Sequence, residues 1–211
     1  MPFDGVVAKA VANELNRSIS GGRIYKVYQP EKDTLLLYIR SNNRNLKLLL
    51  SSNANKARVH LTEIEYENPA SPPMFCMLLR KHLIGGAIAG IEFSDYERII
   101  GLLVEADDEL GDKSIKKLVI EIMGRHSNII LLNESGKIID AIKHVDQDVN
   151  RIREIMPART YTLPPAQNKA VPSRLDVQGF LQSVRNDERP LSKILLSAIS
   201  GLSPVLCRAI C

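Results

Sequence analysis

The chain has 211 residues, of which 45% are hydrophobic and 25% charged. This composition excludes a disordered polymer, because enough apolar surface exists to offset chain entropy by burial, and the length fits one large domain or two modest ones. The net charge is +4, and no apolar run approaches the roughly 18–20 residues a membrane span requires.

The first predicted element is a helix. Asp4 is placed to cap it, Val7, Val11 and Leu15 with Ala8 and Ala12 form an i, i+4 stripe, and Gly21-Gly22 ends it. Strands follow over residues 24–29, 34–40, 46–52 and 58–62, with turns at 30–33 and at Asn42-Asn43. Ser71-Pro72-Pro73 opens a second helix whose apolar face is expected to hold Met74, Phe75, Met77, Leu78 and Leu79. Arg80, Lys81 and His82 suit its C-terminal end, and Gly85-Gly86 stops it. A second strand set is predicted over 87–93, 97–106, 114–123, 128–133 and 137–143. In its third strand Leu118, Ile120 and Ile122 alternate with Lys117, Val119, Glu121 and Met123, which predicts one face more buried than the other.

The expected fold class is therefore α+β: two antiparallel strand sets in a sandwich-like domain over residues 1–156. A proline-rich linker follows over 157–176, and a helical segment over 177–211. Within that segment Gly201-Leu202-Ser203-Pro204 separates two short helical stretches. Such a turn suits a helix-hairpin-helix aiming backbone N–H groups at a phosphate, although a plain αα-hairpin fits the same pattern. The last helix stops after barely two turns, which suggests a piece of a longer protein.

Charge is distributed unevenly. Residues 1–60 hold ten basic and four acidic side chains, whereas residues 61–130 hold seven and twelve. Arg40, Arg44, Lys47, Lys56 and Arg58 run without an intervening acid and are interleaved with five asparagines. Guanidinium forks and amide donors of this kind suit phosphate and ribose contacts, and equally a solvated hairpin rim. Cys76, Cys207 and Cys211 have neither C-x-x-C spacing nor a nearby histidine, so no disulfide framework, metal or cofactor is expected. No phosphate-binding glycine loop or nucleophile motif occurs, and His60, His126 and His144 are widely spaced. The opening Met1-Pro2-Phe3-Asp4 lacks the layout of a secretory signal, so the cytosol is the expected compartment, with leaderless surface display as the alternative.

Several stretches, in order, resemble the N-terminal part of the NFACT family, which includes RqcH (also called fibronectin-binding protein A) and its eukaryotic counterpart NEMF. They are Phe3-Asp4-Gly5, Gly21-Gly22-Arg23-Ile24, the run from Pro72 to His82, the run from Glu121 to Asn128, and Leu163-Pro164-Pro165-Ala166-Gln167. The resemblance implies an NFACT-N domain followed by the start of a helix-hairpin-helix domain, similar in shape to the corresponding domains of Fpg/MutM DNA glycosylases. It also implies a function: engaging tRNA, expected to be alanyl, and the large ribosomal subunit carrying peptidyl-tRNA, to direct C-terminal alanine tailing. The coiled coil and NFACT-R domain of longer members have no counterpart in these 211 residues.

Site residues follow from the same resemblance. The family's Asp-Arg pair, needed for tRNA engagement, corresponds here to Glu97-Arg98, a carboxylate one methylene longer, with Asp95 nearby as a substitute. In the 121–128 motif Arg125 and His126 are expected to point outward from a rigid strand end, and Asn128 either joins them or, like Ser127, serves a purely structural turn. Arg44 and Lys47 from the basic stretch, with Arg80 and Lys81, complete the predicted RNA-binding set. The family's other name makes fibronectin an alternative partner. A third reading, a glycosylase/lyase using the amine of Pro2 to form a Schiff base, is weakened by Phe3 standing where such enzymes place Glu. The expectation is an RNA-binding adaptor without enzymatic activity.

Overall fold

The structure, a computed structural model, describes residues 3–93, 96–107, 111–165 and 167–211. Helix α1 (Gly5–Ile19) starts where the Asp4 carboxylate accepts the Val7 N–H at 3.0 Å, and it buries Ala8, Ala12, Leu15 and Ile19. The first strand set is the meander β1 (Arg23–Glu31), β2 (Thr34–Ser41), β3 (Arg44–Ser51) and β4 (Arg58–Leu61). Asn42 and Asn43 make the β2–β3 turn with φ of 47° and 59°, the left-handed pair that a two-residue hairpin needs. Helix α2 (Met74–Leu83) then leads into a second meander: β5 (Ala87–Phe93), β6 (Ile99–Asp107), β7 (Lys113–Glu121), β8 (Asn128–Leu132) and β9 (Ile138–Ala141).

Both expected strand sets are present, and hydrogen bonds join them into one nine-stranded antiparallel sheet in the order β4-β3-β2-β1-β5-β6-β7-β8-β9. The seam between β1 and β5 is short, with a single ladder pair, Arg23 opposite Ala87. It is extended by the glycine pairs that end the two helices. Gly21 N–H and Gly22 C=O bond Ile88, while Gly85 N–H and Gly86 C=O bond Ile24. A single core lies under both sets, taking Leu35, Leu37, Leu48 and Leu50 from the first, Leu102, Leu118, Ile120 and Leu131 from the second, and the inner faces of α1 and α2. Lys143 crosses between the sets, its ammonium donating to the carbonyls of Ser52 and, at 2.9 Å, Ser127.

Two expectations change. Met74 and Met77 are 81% and 48% exposed, so the buried face of α2 is Phe75, Cys76, Leu79 and Leu83, a 3–4 spacing that leaves both methionines outside. Nor is the outer face of the second strand set open. Val119, Ile130 and Leu132 form a second cluster with Ile99, Ile138 and Ile155, covered by the segment from Val145 to Tyr161. All five β8 residues are buried, as a strand covered on both sides requires.

This covering segment is held by a buried charge. Glu121, 1% exposed, receives both terminal nitrogens of Arg153 (2.9 and 2.5 Å) and the Tyr161 hydroxyl (2.7 Å). Burial and the adjacent Glu121 carboxylate push the Tyr161 hydroxyl well above its ordinary pKa. The Arg153→Met variant leaves the carboxylate buried without its counter-charge, so a loss of about 3–5 kcal/mol is expected in urea unfolding. Arg159→Ala, which removes a solvent-exposed ion pair with Glu154, is expected to cost a small fraction of that.

Candidate nucleic-acid interface

The helical end of the chain packs back onto the start of α1. Three helices follow the proline-rich stretch: α3 (Val177–Val184), α4 (Leu191–Ala198) and α5 (Pro204–Ile210). Ser203 caps α5 by accepting the Leu206 N–H at 3.2 Å, and its hydroxyl donates to the Asp4 carboxylate at 2.7 Å, so the caps of α1 and α5 hold each other. Gly5 N–H, which has no acceptor within its own helix, donates to Gly201 C=O at 2.8 Å. Contact here is backbone against backbone. A Cβ on Gly5 would lie 2.1 Å from Tyr96 O and 2.5 Å from Gly201 Cα, and Gly201 has a φ of +78° besides.

Glu97 and Arg98 sit at this junction, just before β6. They line a cavity of about 290 Å³ together with Phe3, Asp4, Gly5, Tyr96, Gln167, Lys169 and residues 200–204. The predicted Asp-Arg-type pair and the predicted phosphate-aiming turn, far apart in sequence, therefore share one cavity. Neither Glu97 nor Arg98 forms a side-chain hydrogen bond or ion pair with another described residue, so the guanidinium is not oriented by its neighbour's carboxylate. Lys9 packs close by, its ammonium 3.0 Å from the Tyr96 hydroxyl. Asp95 and Pro2, from the alternatives raised above, lie outside the described residues.

The 121–128 motif reaches the same end of the sheet, because Ile99 pairs with Glu121 and Ile122 N–H bonds Arg98 C=O at 2.8 Å. Arg125 and His126 stand exposed on a single 3-10 turn (Gly124–His126), the Arg125 Nε donating to His126 Nε2 at 3.0 Å. They border a second cavity of about 430 Å³ whose lining includes Met123, Val145, Ile155 and Lys143. Burial lowers the pKa of the Lys143 ammonium, and sequence reasoning missed this residue because its role depends on two carbonyls from distant strands. For Asn128 the structural alternative holds, and its place in the RNA-binding set does not. Asn128 is 3% exposed, with its amide donating to Lys143 C=O and accepting the N–H groups of Ile129 and Lys143, which makes it an internal brace.

The remaining predicted cations are elsewhere. Lys81 lines a cavity with Gly85, Gly86 and Glu105 at the seam, a full strand length (~25 Å) from Arg98. Arg44 flanks the β2–β3 turn at the same end, since Arg40 is paired with both Arg23 and Asn45. Arg80 donates to Val27 C=O at 2.9 Å and lies over the Tyr28 ring, while Lys47 lies over Tyr38 and pairs with Glu65. Among the described residues no cluster of three or more His, Cys, Asp or Glu side chains is arranged to hold a metal ion, and no helix is long and apolar enough to cross a membrane.

Comparison with known proteins decides the family. The description "NFACT N-terminal and middle domains" matches residues 4–211. The chain belongs to the NFACT family. It is 43% identical over 209 residues to "Rqc2 homolog RqcH" of Bacillus subtilis (strain 168), covering 99% of this chain and 37% of that relative. Human "Ribosome quality control complex subunit NEMF" is 28% identical over 152 residues, 72% of this chain and 13% of that protein. Among solved structures, the N-terminal domain of fibronectin-binding protein PavA from Streptococcus pneumoniae superimposes with a TM-score of 0.91 at 37% identity, covering 99% of this chain and 78% of that one. The fibronectin/fibrinogen-binding protein of Streptococcus suis gives 0.90 at 38%, covering 98% and 77%. The chain thus spans just over a third of the length of the RqcH relative. In this NFACT chain Gly201→Ala is expected to open the junction, because its Cβ would lie 2.7 Å from that of Tyr96. Limited trypsin digestion should then cut within residues 167–193 several-fold faster than in the parent, with the strand core still protected.

Proposed function

We propose that this chain is a non-catalytic RNA-binding arm of a ribosome-associated quality-control factor. It engages tRNA and the obstructed large ribosomal subunit carrying peptidyl-tRNA, and so helps to direct alanine tailing of the stalled chain. The observation that carries this reading is Arg98, without a partner among the described residues, in an open junction cavity with Arg125 and His126 at the same sheet end. Guanidinium groups on stiff backbone suit phosphate and base-edge contacts, and they need no bond to break. The residue 199–203 turn supports a helix-hairpin-helix reading of α4 and α5, with Gly201 allowing the close approach.

The names of the solved relatives support a second reading, fibronectin binding. The two separate in one pair of titrations. With labelled tRNA, affinity is expected to fall steeply with salt, and Arg98→Ala and Arg125→Ala should each weaken it by roughly 5- to 100-fold, the range for losing a charge-assisted contact. Arg44→Ala, at the far end, should have a smaller effect. Retention on immobilised fibronectin that ignores Arg98→Ala, together with no tRNA binding in dilute buffer, would favour the second reading.

A further inference from the structure

The junction cavity has four charged side chains in its lining: Asp4, Glu97, Arg98 and Lys169. Asp4 is 8% exposed and engaged by Val7 N–H and the Ser203 hydroxyl. Formally two cations face two carboxylates, of which Asp4 is tied into the helix caps and Glu97 is not. Those cations come from opposite sides. Arg98 belongs to the strand body, its backbone tied to Ile122. Lys169 belongs to the segment that leads into the helices.

Lys169 is not on a loose loop. Its neighbour Ala170 forms a parallel bridge with Ile199, donating to Ala198 C=O at 2.8 Å and accepting Ser200 N–H at 2.9 Å. Its ammonium donates to Leu196 C=O at 2.9 Å in the last turn of α4. An ammonium has three donors, so that bond fixes the group at the cavity wall and leaves two N–H for something else. None of the described carboxylates takes them.

Building on the RNA-binding reading, we propose that Lys169 is a second phosphate-holding residue of this site: one RNA phosphodiester sits between Arg98 and Lys169 and ties the helical end to the strand body. Bound RNA then stabilises the docking of α4 and α5 through an interaction that the free protein lacks. A phosphodiester is favoured over a small free anion because exposed Arg125 and His126 stand at the same end of the sheet, where they can take further phosphates of a chain.

The test is anisotropy titration of the 211-residue chain with labelled tRNA over a range of salt. The variants are Lys169→Gln, which keeps a donor for Leu196 C=O but loses the charge, Lys169→Arg, Arg98→Ala and the Arg98→Ala/Lys169→Gln pair. Lys169→Gln is expected to weaken binding on the order of tenfold and to lower the slope of log K against log salt by ~0.7–0.9, the value for one lost phosphate contact. Lys169→Arg should restore the slope, and the double variant should lose less than the two single losses combined. Added tRNA should also slow tryptic cleavage near residues 185–193 in the parent and fail to do so in Lys169→Gln. If Lys169→Gln keeps the parental slope while Arg98→Ala weakens binding, the bridge is refuted and the RNA reading stands. If the parent chain ignores tRNA in dilute buffer, both are overturned.

Discussion

The junction between the strand body and the helical end depends on two backbones meeting without side chains between them. Gly5 opens α1 and Gly201 opens the turn before α5, and their contact leaves no volume for even a methyl group. The hydrogen bond between them satisfies one of the N–H groups that every helix start leaves unpaired, and Asp4 satisfies another. With Ser203 joining its own helix cap to Asp4, the junction is a small, fully bonded polar knot. Such a knot is directional in a way that apolar packing is not, so it fixes where residues 200–204 stand relative to Tyr96-Glu97-Arg98.

Electrostatics at this junction work through what has been left unpaired. At the opposite end of the sheet, Lys113 bonds Glu105 and Arg23 bonds Gly85 C=O. In the outer layer Glu121 and Arg153 are matched and sealed under cover. Exposed pairs of the first kind contribute little to stability, while the sealed pair is costly to break and so pins the 145–161 segment. Arg98 differs from both. It is half-buried on fixed backbone, so ordering it for a ligand carries a smaller entropic cost than ordering a free surface side chain.

Much of the fold was legible in local chemistry. The Asp4 cap, the glycine pairs, the Asn42-Asn43 turn and the alternation in β7 each describe a backbone state that its own residues prefer, and each element formed near its expected bounds. The burial of Val119 and Glu121 was not legible, since their cover is supplied by residues 145–161, an irregular segment with no periodicity to announce it. Asn128 was ambiguous for a related reason. A polar residue after a turn suits either an external contact or a backbone brace, and only the arrival of Lys143 decides between them. The α2 methionines were expected inside because composition cannot say how wide a buried stripe is.

By itself, then, the sequence determined the elements, the helix limits, the cationic residues and, through ordered motifs, the family, because all of these are properties of short runs of chain. The tertiary structure alone decided which cations stand at the same end of the sheet. Arg98, Arg125 and Lys169 are brought to one end by strand register and by the Gly5–Gly201 contact, while Arg44 and Lys81 are carried a strand length away. The reason is physical: charges cooperate according to distance through space, and that distance is set by packing between segments that sequence spacing does not encode.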